Sequence, residues 1–160
     1  MKFDYSHYER KAVYTLEQVL PFVIFVGLSD IKPFKNFDGD PIKMTSDRYK
    51  LFASKGVQCV GCNLTGTYFA KERNKSPVEK DPEKIKTRYH LNLYGIDDAG
   101  NEIMLTKDHI FPSSAGGLDE LKNLQTMCQA CNHRKSGVLP FTFEEALAKG
   151  LVAKKHLGKS

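Results

Sequence analysis

All four cysteines of the chain fall in two C-x-x-C pairs, Cys59 with Cys62 and Cys128 with Cys131, and no thiol is left over. Two such turns supply the four soft ligands that tetrahedral zinc takes at about 2.3 Å each. The alternatives are disulfides, which are disfavoured in a cytosolic chain, and a redox dithiol, which would not need a second copy far along the sequence. A site closed by four thiolates has no open position for a substrate. It works as a staple, tying the turn near residue 60 to the start of a helix near residue 131, and any chemistry must come from other groups. The second pair runs directly into such groups. In "CQACNHRK", from Cys128 to Lys135, an amide, an imidazole and two cations follow the thiols without a gap. Asn132 and His133 are the two candidates there for a chemical role.

These groups lie in residues 57–140, which we read as the functional core. "VQCVGCN" is a tight thiol turn, and "YHLNLYGI" and "NEIMLTKDHI" read as two strands joined by "DDAG" into a hairpin. "LQTMC" is a short strand, and a helix follows from Ala130 to Ser136, stopped by Gly137. Residues 1–56 read as a separate N-terminal accessory segment. It holds a Thr15/Gln18 capping box, a run "VLPFVIFVGL" that should be buried, and a helix from Ser46 to Gly56 with Tyr49, Phe52 and Ala53 on one face. Residues 141–160 read as a C-terminal basic helix opened by a second capping box, Thr142 with Glu145. Arg73 to Arg88 reads as a charged, solvated loop. Alternation on the first hairpin strand sets His90 with Arg88, Asn92 and Tyr94 on a polar face, with Leu91 and Leu93 opposite. Such a face is normally solvated.

The chain has 160 residues, 41% hydrophobic and 27% charged, which suits one soluble α+β domain. No apolar run approaches a membrane span. The first residues carry Asp4, Glu9, Arg10 and Lys11 before any apolar block, unlike a signal peptide, so a cytoplasmic location is expected. The net charge of +5 is mild, but from Cys128 to Ser160 six Lys/Arg face two Glu. Lys149, Lys154 and Lys155 there offer a non-specific grip on a nucleic-acid backbone.

The stretch "KDHIFPSSAGGLDELKNLQTMCQACNHRK" resembles the HNH nuclease family. The match runs through Asp108-His109-Ile110 and Pro112, the Gly116-Gly117 loop, Asn123-Leu124, and the C-x-x-C-N-x-x-K ending. With the Cys59/Cys62 turn it resembles the zinc-stapled branch, and the helix before that turn is similar to those of phage-encoded members. The resemblance implies a ββα-metal core of strand, loop, strand and helix around one divalent ion. It implies a DNA endonuclease with His109 as general base, Asp108 and Asn132 as oxygen ligands of Mg²⁺ or Mn²⁺, and Asn123 bracing the loop and helping to orient the base. Asn132 takes the metal position, since it directly follows Cys131 and shares a helical face with Lys135. Lys135 and Arg134 are then candidate contacts to DNA phosphates. As neighbours on a strand, Asp108 and His109 should leave opposite faces, the first toward the ion and the second toward the attacking water.

The expected partner is double-stranded DNA, cut to 5′-phosphate and 3′-hydroxyl ends. One site per chain cuts one strand, so double-strand cleavage would call for a homodimer or a second event. Two other readings remain. One is a zinc-stapled DNA-binding or assembly module that does not cut. The other is an accessory nuclease within a larger phage DNA-packaging machine, in the host cytoplasm.

Overall fold

A computed structural model describes residues 2–26, 32–75 and 88–154. Most of the charged Arg73–Arg88 stretch lies outside the described residues, as do Lys155 and His156. The fold is mixed α+β. A five-stranded antiparallel sheet runs in the order β1 (Tyr8–Thr15), β4 (Tyr68–Asn74), β5 (His90–Ile96), β6 (Glu102–His109) and β7 (Leu124–Cys128). Two short strands, β2 (Phe34–Phe37) and β3 (Asp40–Lys43), form a separate hairpin. The helices are α1 (Leu16–Val19), α2 (Asp47–Lys55), α3 (Gln129–Lys135) and α4 (Phe143–Ala148). Among the described residues no helix is long and apolar enough to cross a membrane.

Local signals place several of these elements. Both capping boxes close as anticipated: Thr15 accepts from Gln18 N, and Thr142 accepts from Glu145 N. Ser46 caps α2, and Gly56 ends it with φ +99°. The main core lies on the sheet face carrying Phe69, Leu91, Leu93 and Leu105, against Leu51 and Phe52 of α2. α2 buries Tyr49, Leu51 and Phe52 but leaves Ala53 exposed. Tyr49 is held by its hydroxyl, which accepts from Leu91 N at 2.9 Å.

Four expectations change. The first 56 residues are no separate lead-in, because β1 pairs with β4 along its length and α2 packs into the common core. An unburied helix face would be costly, and packing α2 into the core removes it, while β1 covers β4 and becomes the edge strand of the sheet. In its described residues, 19–26, the apolar run is only partly buried, and its last residues, 27 and 28, lie outside the described residues. Pro21 opens a 3-10 turn, and Phe22, Phe25 and Val26 remain exposed.

The third change concerns the polar face of β5, where Asn92 and Tyr94 are buried, at 1% and 0% exposure, while His90 is half-buried and Arg88, ahead of the strand, is exposed. Glu72 Oε1 accepts from Asn92 Nδ2 at 2.9 Å and from Tyr94 Oη at 2.5 Å, while Arg10 Nε donates to Glu72 Oε2 at 2.9 Å. Arg48 adds 3.1 Å to Asn92 Oδ1 and 2.7 Å to the Leu91 carbonyl. Buried polar groups survive when each finds a partner, and here the partners come from β1, α2 and β4.

Fourth, the C-terminal helix is short. α4 ends at Ala148, and Gly150 takes φ +71°, a left-handed turn that reverses the chain. Leu151 and Val152 then pack with Phe111 and Ala146 in a second small core, and Val152 bridges to Gly117. This segment therefore braces the loop after β6.

Candidate active site and metal centre

Two centres flank α3. At its N-terminus the four cysteine sulfurs lie within 4.8 Å of one another. Cys62 Sγ and Cys128 Sγ are 3.7 Å apart. Tetrahedral bonds of 2.3 Å would set ligand sulfurs about 3.8 Å apart, so the spacing suits one metal ion. The thiols also receive donors. Cys59 Sγ accepts from Gly61 N at 3.3 Å and Cys128 N at 3.2 Å, Cys128 Sγ from Cys131 N at 3.4 Å, and Cys131 Sγ from Arg134 Nη2 at 3.0 Å. A side chain at Gly61 would place its Cβ 2.9 Å from Cys131 Sγ, so the turn needs glycine there.

The titration of these thiols points the same way. Burial pushes the Cys59 thiol up, but backbone donors from Cys128, Cys62 and Gly61 outweigh it and bring it down to about 7. Burial pushes Cys128 up to about 12 and raises Cys131 as well. Four thiolates side by side need a cation between them.

The second centre is a cleft of about 260 Å³ at the end of β6, lined by Asp108, His109, Pro112, Asn132 and Lys135 among others. The register sets Asp108 opposite Gln125 and His109 opposite Leu124, so the two side chains leave opposite faces of the strand. Both still line the cleft, because β6 stops at His109. Asp108 Oδ2 accepts from Gln125 Nε2 at 2.9 Å and from Lys135 Nζ at 2.6 Å. Asn132 Nδ2 donates to Thr106 Oγ1 at 3.3 Å, so its oxygen is the atom it can offer to a ligand. His133, one residue on, is exposed and does not line the cleft.

The loop from β6 to β7 is tightly held. Asn123 is fully buried. Its Oδ1 accepts from Phe111 N at 2.9 Å, and its Nδ2 donates to the Phe111 and Leu118 carbonyls at 3.0 and 2.8 Å. A Cβ on Gly117 would fall 1.9 Å from the Phe111 carbonyl oxygen, so only glycine fits beside this brace. Asn123 thus shapes the loop without touching His109. The group that does touch it is Asp119, whose Oδ1 lies 3.1 Å from His109 Nε2. That contact holds the Asp119 carboxyl below its usual range, with the Lys107 charge adding to it. Asp119 was missed in the sequence, where one more acid in a polar loop carries no signal.

The two cations after Asn132 are not free phosphate contacts. Lys135 is tied to Asp108 Oδ2 and to the His109 carbonyl, at 2.6 and 2.5 Å. Arg134 points to the opposite side of α3, where it meets Cys131 Sγ and lines a different cavity beside Cys62 and Cys128. A guanidinium there offsets thiolate charge, and the rotation of about 100° per helical residue explains why it and Lys135 part company.

No curated protein and no solved structure gives a significant match to the chain. Residues 98–147 do match a family model, described as HNH endonuclease. The matched segment spans the second strand of the hairpin, the braced loop, β7, α3 and all of α4 but its last residue.

Proposed function

We propose that this chain, which carries an HNH endonuclease segment over residues 98–147, is a metal-dependent DNA endonuclease cutting at the cleft beside β6. One observation carries the reading. Asp108, His109 and Asn132 line a single cleft, and the helix bearing Asn132 starts inside the four-thiol cluster. In this reading β6, its loop, β7 and α3 are the ββα-metal unit, and zinc is the ion of the thiol cluster.

The cleft suits a hard cation. Asp108 offers a carboxylate already drawn to an ammonium, and Asn132 offers a neutral amide oxygen. Asp108 and Asn132 would hold Mg²⁺ or Mn²⁺, which when bound supplies charge stabilisation at the leaving oxygen. The chain's own groups do the rest. His109 Nε2–H donates to Asp119, which leaves Nδ1 to accept the proton of the attacking water. Asp119 stabilises the imidazolium so formed. The water oxygen bonds to phosphorus as the P–O3′ bond breaks, and the departing O3′ takes a proton from solvent, giving 5′-phosphate and 3′-hydroxyl ends. Asn123 keeps the loop, and with it Asp119, in register.

The substrate is duplex DNA, and a lone site cuts one strand. Zinc-loaded protein with Mg²⁺ or Mn²⁺ is expected to turn supercoiled plasmid into nicked circles, with linear product later. Folded, zinc-loaded protein that binds DNA yet leaves plasmid intact with every divalent ion tried would instead favour a module that does not cut.

A further inference from the structure

Lys135 Nζ lies 2.6 Å from Asp108 Oδ2 and 2.5 Å from the His109 carbonyl oxygen. Neither partner in this pair is a loose surface group, since the Lys135 and Asp108 side chains are only 20% and 11% exposed. Gln125 Nε2 donates to the same Asp108 oxygen, so that atom has little room for a third partner. The ammonium therefore sits on the same carboxylate that the endonuclease reading assigns to a divalent ion. Two cations on one carboxylate repel each other across a part-buried site, so each weakens the hold on the other.

We propose that Lys135 is a built-in cation that holds Asp108 until DNA and the divalent ion arrive together. This inference rests on the assignment of Asp108 as an ion ligand. Lys135 lies one residue short of a full turn from Asn132, on the same side of α3, and its stem reaches into the cleft. A phosphate entering the cleft competes with Asp108 for the ammonium. Once Lys135 swings to the phosphate, Asp108 is released to the ion. The ion in turn repels Lys135 toward the phosphate. Binding of DNA and binding of the ion thus favour each other, and such coupling must be reciprocal. The chain would bind divalent ions weakly when no DNA is present and so would sit idle without substrate.

The test measures Mn²⁺ affinity by electron paramagnetic resonance on zinc-loaded protein. His109→Ala is the background, so that DNA stays uncut. Lys135→Met is compared with its parent, and Lys135→Gln serves should the methionine variant lose its fold. Without DNA, removal of the ammonium is expected to tighten Mn²⁺ binding about tenfold, within the usual range for coupled sites. Adding duplex DNA should tighten binding in both proteins, since phosphate adds oxygen ligands, but by a larger factor in the parent. Equal affinities with equal responses to DNA would overturn the role of Lys135 and leave the ion site standing. Failure of Mn²⁺ to bind either protein, with or without DNA, would remove the ion site and this inference with it.

Discussion

His109→Ala is expected to lower the rate of plasmid nicking by about 10²–10⁴-fold, the usual worth of a positioned general base. The loss should come without unfolding. The side chain of His109 is 22% exposed, and among the described residues its hydrogen-bond partner is the exposed carboxylate of Asp119. The strand pairing of His109 with Leu124 and the bond from Lys135 to its carbonyl use only backbone atoms at this residue. Circular dichroism and zinc content should therefore match the parent, and DNA should still bind. His133→Ala is the natural control. That imidazole is exposed and outside the cleft, so its loss should leave nicking nearly unchanged. A His133 variant that loses activity while His109→Ala retains it would reverse the assignment of the two histidines.

Stripping the metal from the thiol cluster should have the second large effect, on both fold and cutting. Cys59, Cys128 and Cys131 are 0%, 1% and 8% exposed, so the cluster lies within the core. Cys128 also caps α3 through its sulfur, and the two pairs join parts of the chain far apart in sequence. In small zinc-dependent peptides the ion supplies most of the folding free energy. Here the sheet has its own apolar core, so a loss of about 5 kcal/mol is expected, or about 10–20 °C in Tm for a chain of this size. Nicking should vanish with it, since Asn132 loses its fixed place beside Thr106. Added zinc should restore both properties, and added magnesium should restore neither. Zinc-free protein that melts at the parent temperature and nicks with Mg²⁺ alone would show that the thiols do not position the cleft.

Residues whose structural reasons are local were legible in the sequence. Thr15, Ser46 and Thr142 cap helices through atoms two or three residues away, and Gly56 ends α2 by its own backbone freedom. The cysteine spacing gave away the cluster because two short turns suffice to define it. Residues whose reasons lie far along the chain were not legible. Asn92 and Tyr94 read as a solvated face because Glu72, Arg10 and Arg48, which satisfy them, come from three other elements. β1 joined the sheet through β4, a pairing that no local pattern announces. The early end of α4 was open to reading at Gly150, but the helical run of apolar residues masked it, and Leu151 and Val152 belong instead to the small core around Phe111. At the cleft, Asp108, His109 and Asn132 could be named from a motif. Asp119 beside His109 and the ammonium on Asp108 needed the loop and α3 in place.

In the proposed mechanism an oxygen-bound ion sits between Asp108 and Asn132, beside His109, on a helix anchored by a sulfur-bound ion. That arrangement is tested most directly by anomalous diffraction from crystals of His109→Ala protein with duplex DNA and Mn²⁺. Two ions per chain are expected. One is a zinc signal among Cys59, Cys62, Cys128 and Cys131, and the other is a manganese signal within about 2.3 Å of oxygens from Asp108 and Asn132 and of a DNA phosphate. A cleft without manganese while DNA lies across it, or manganese bound by His133 instead, would contradict the account.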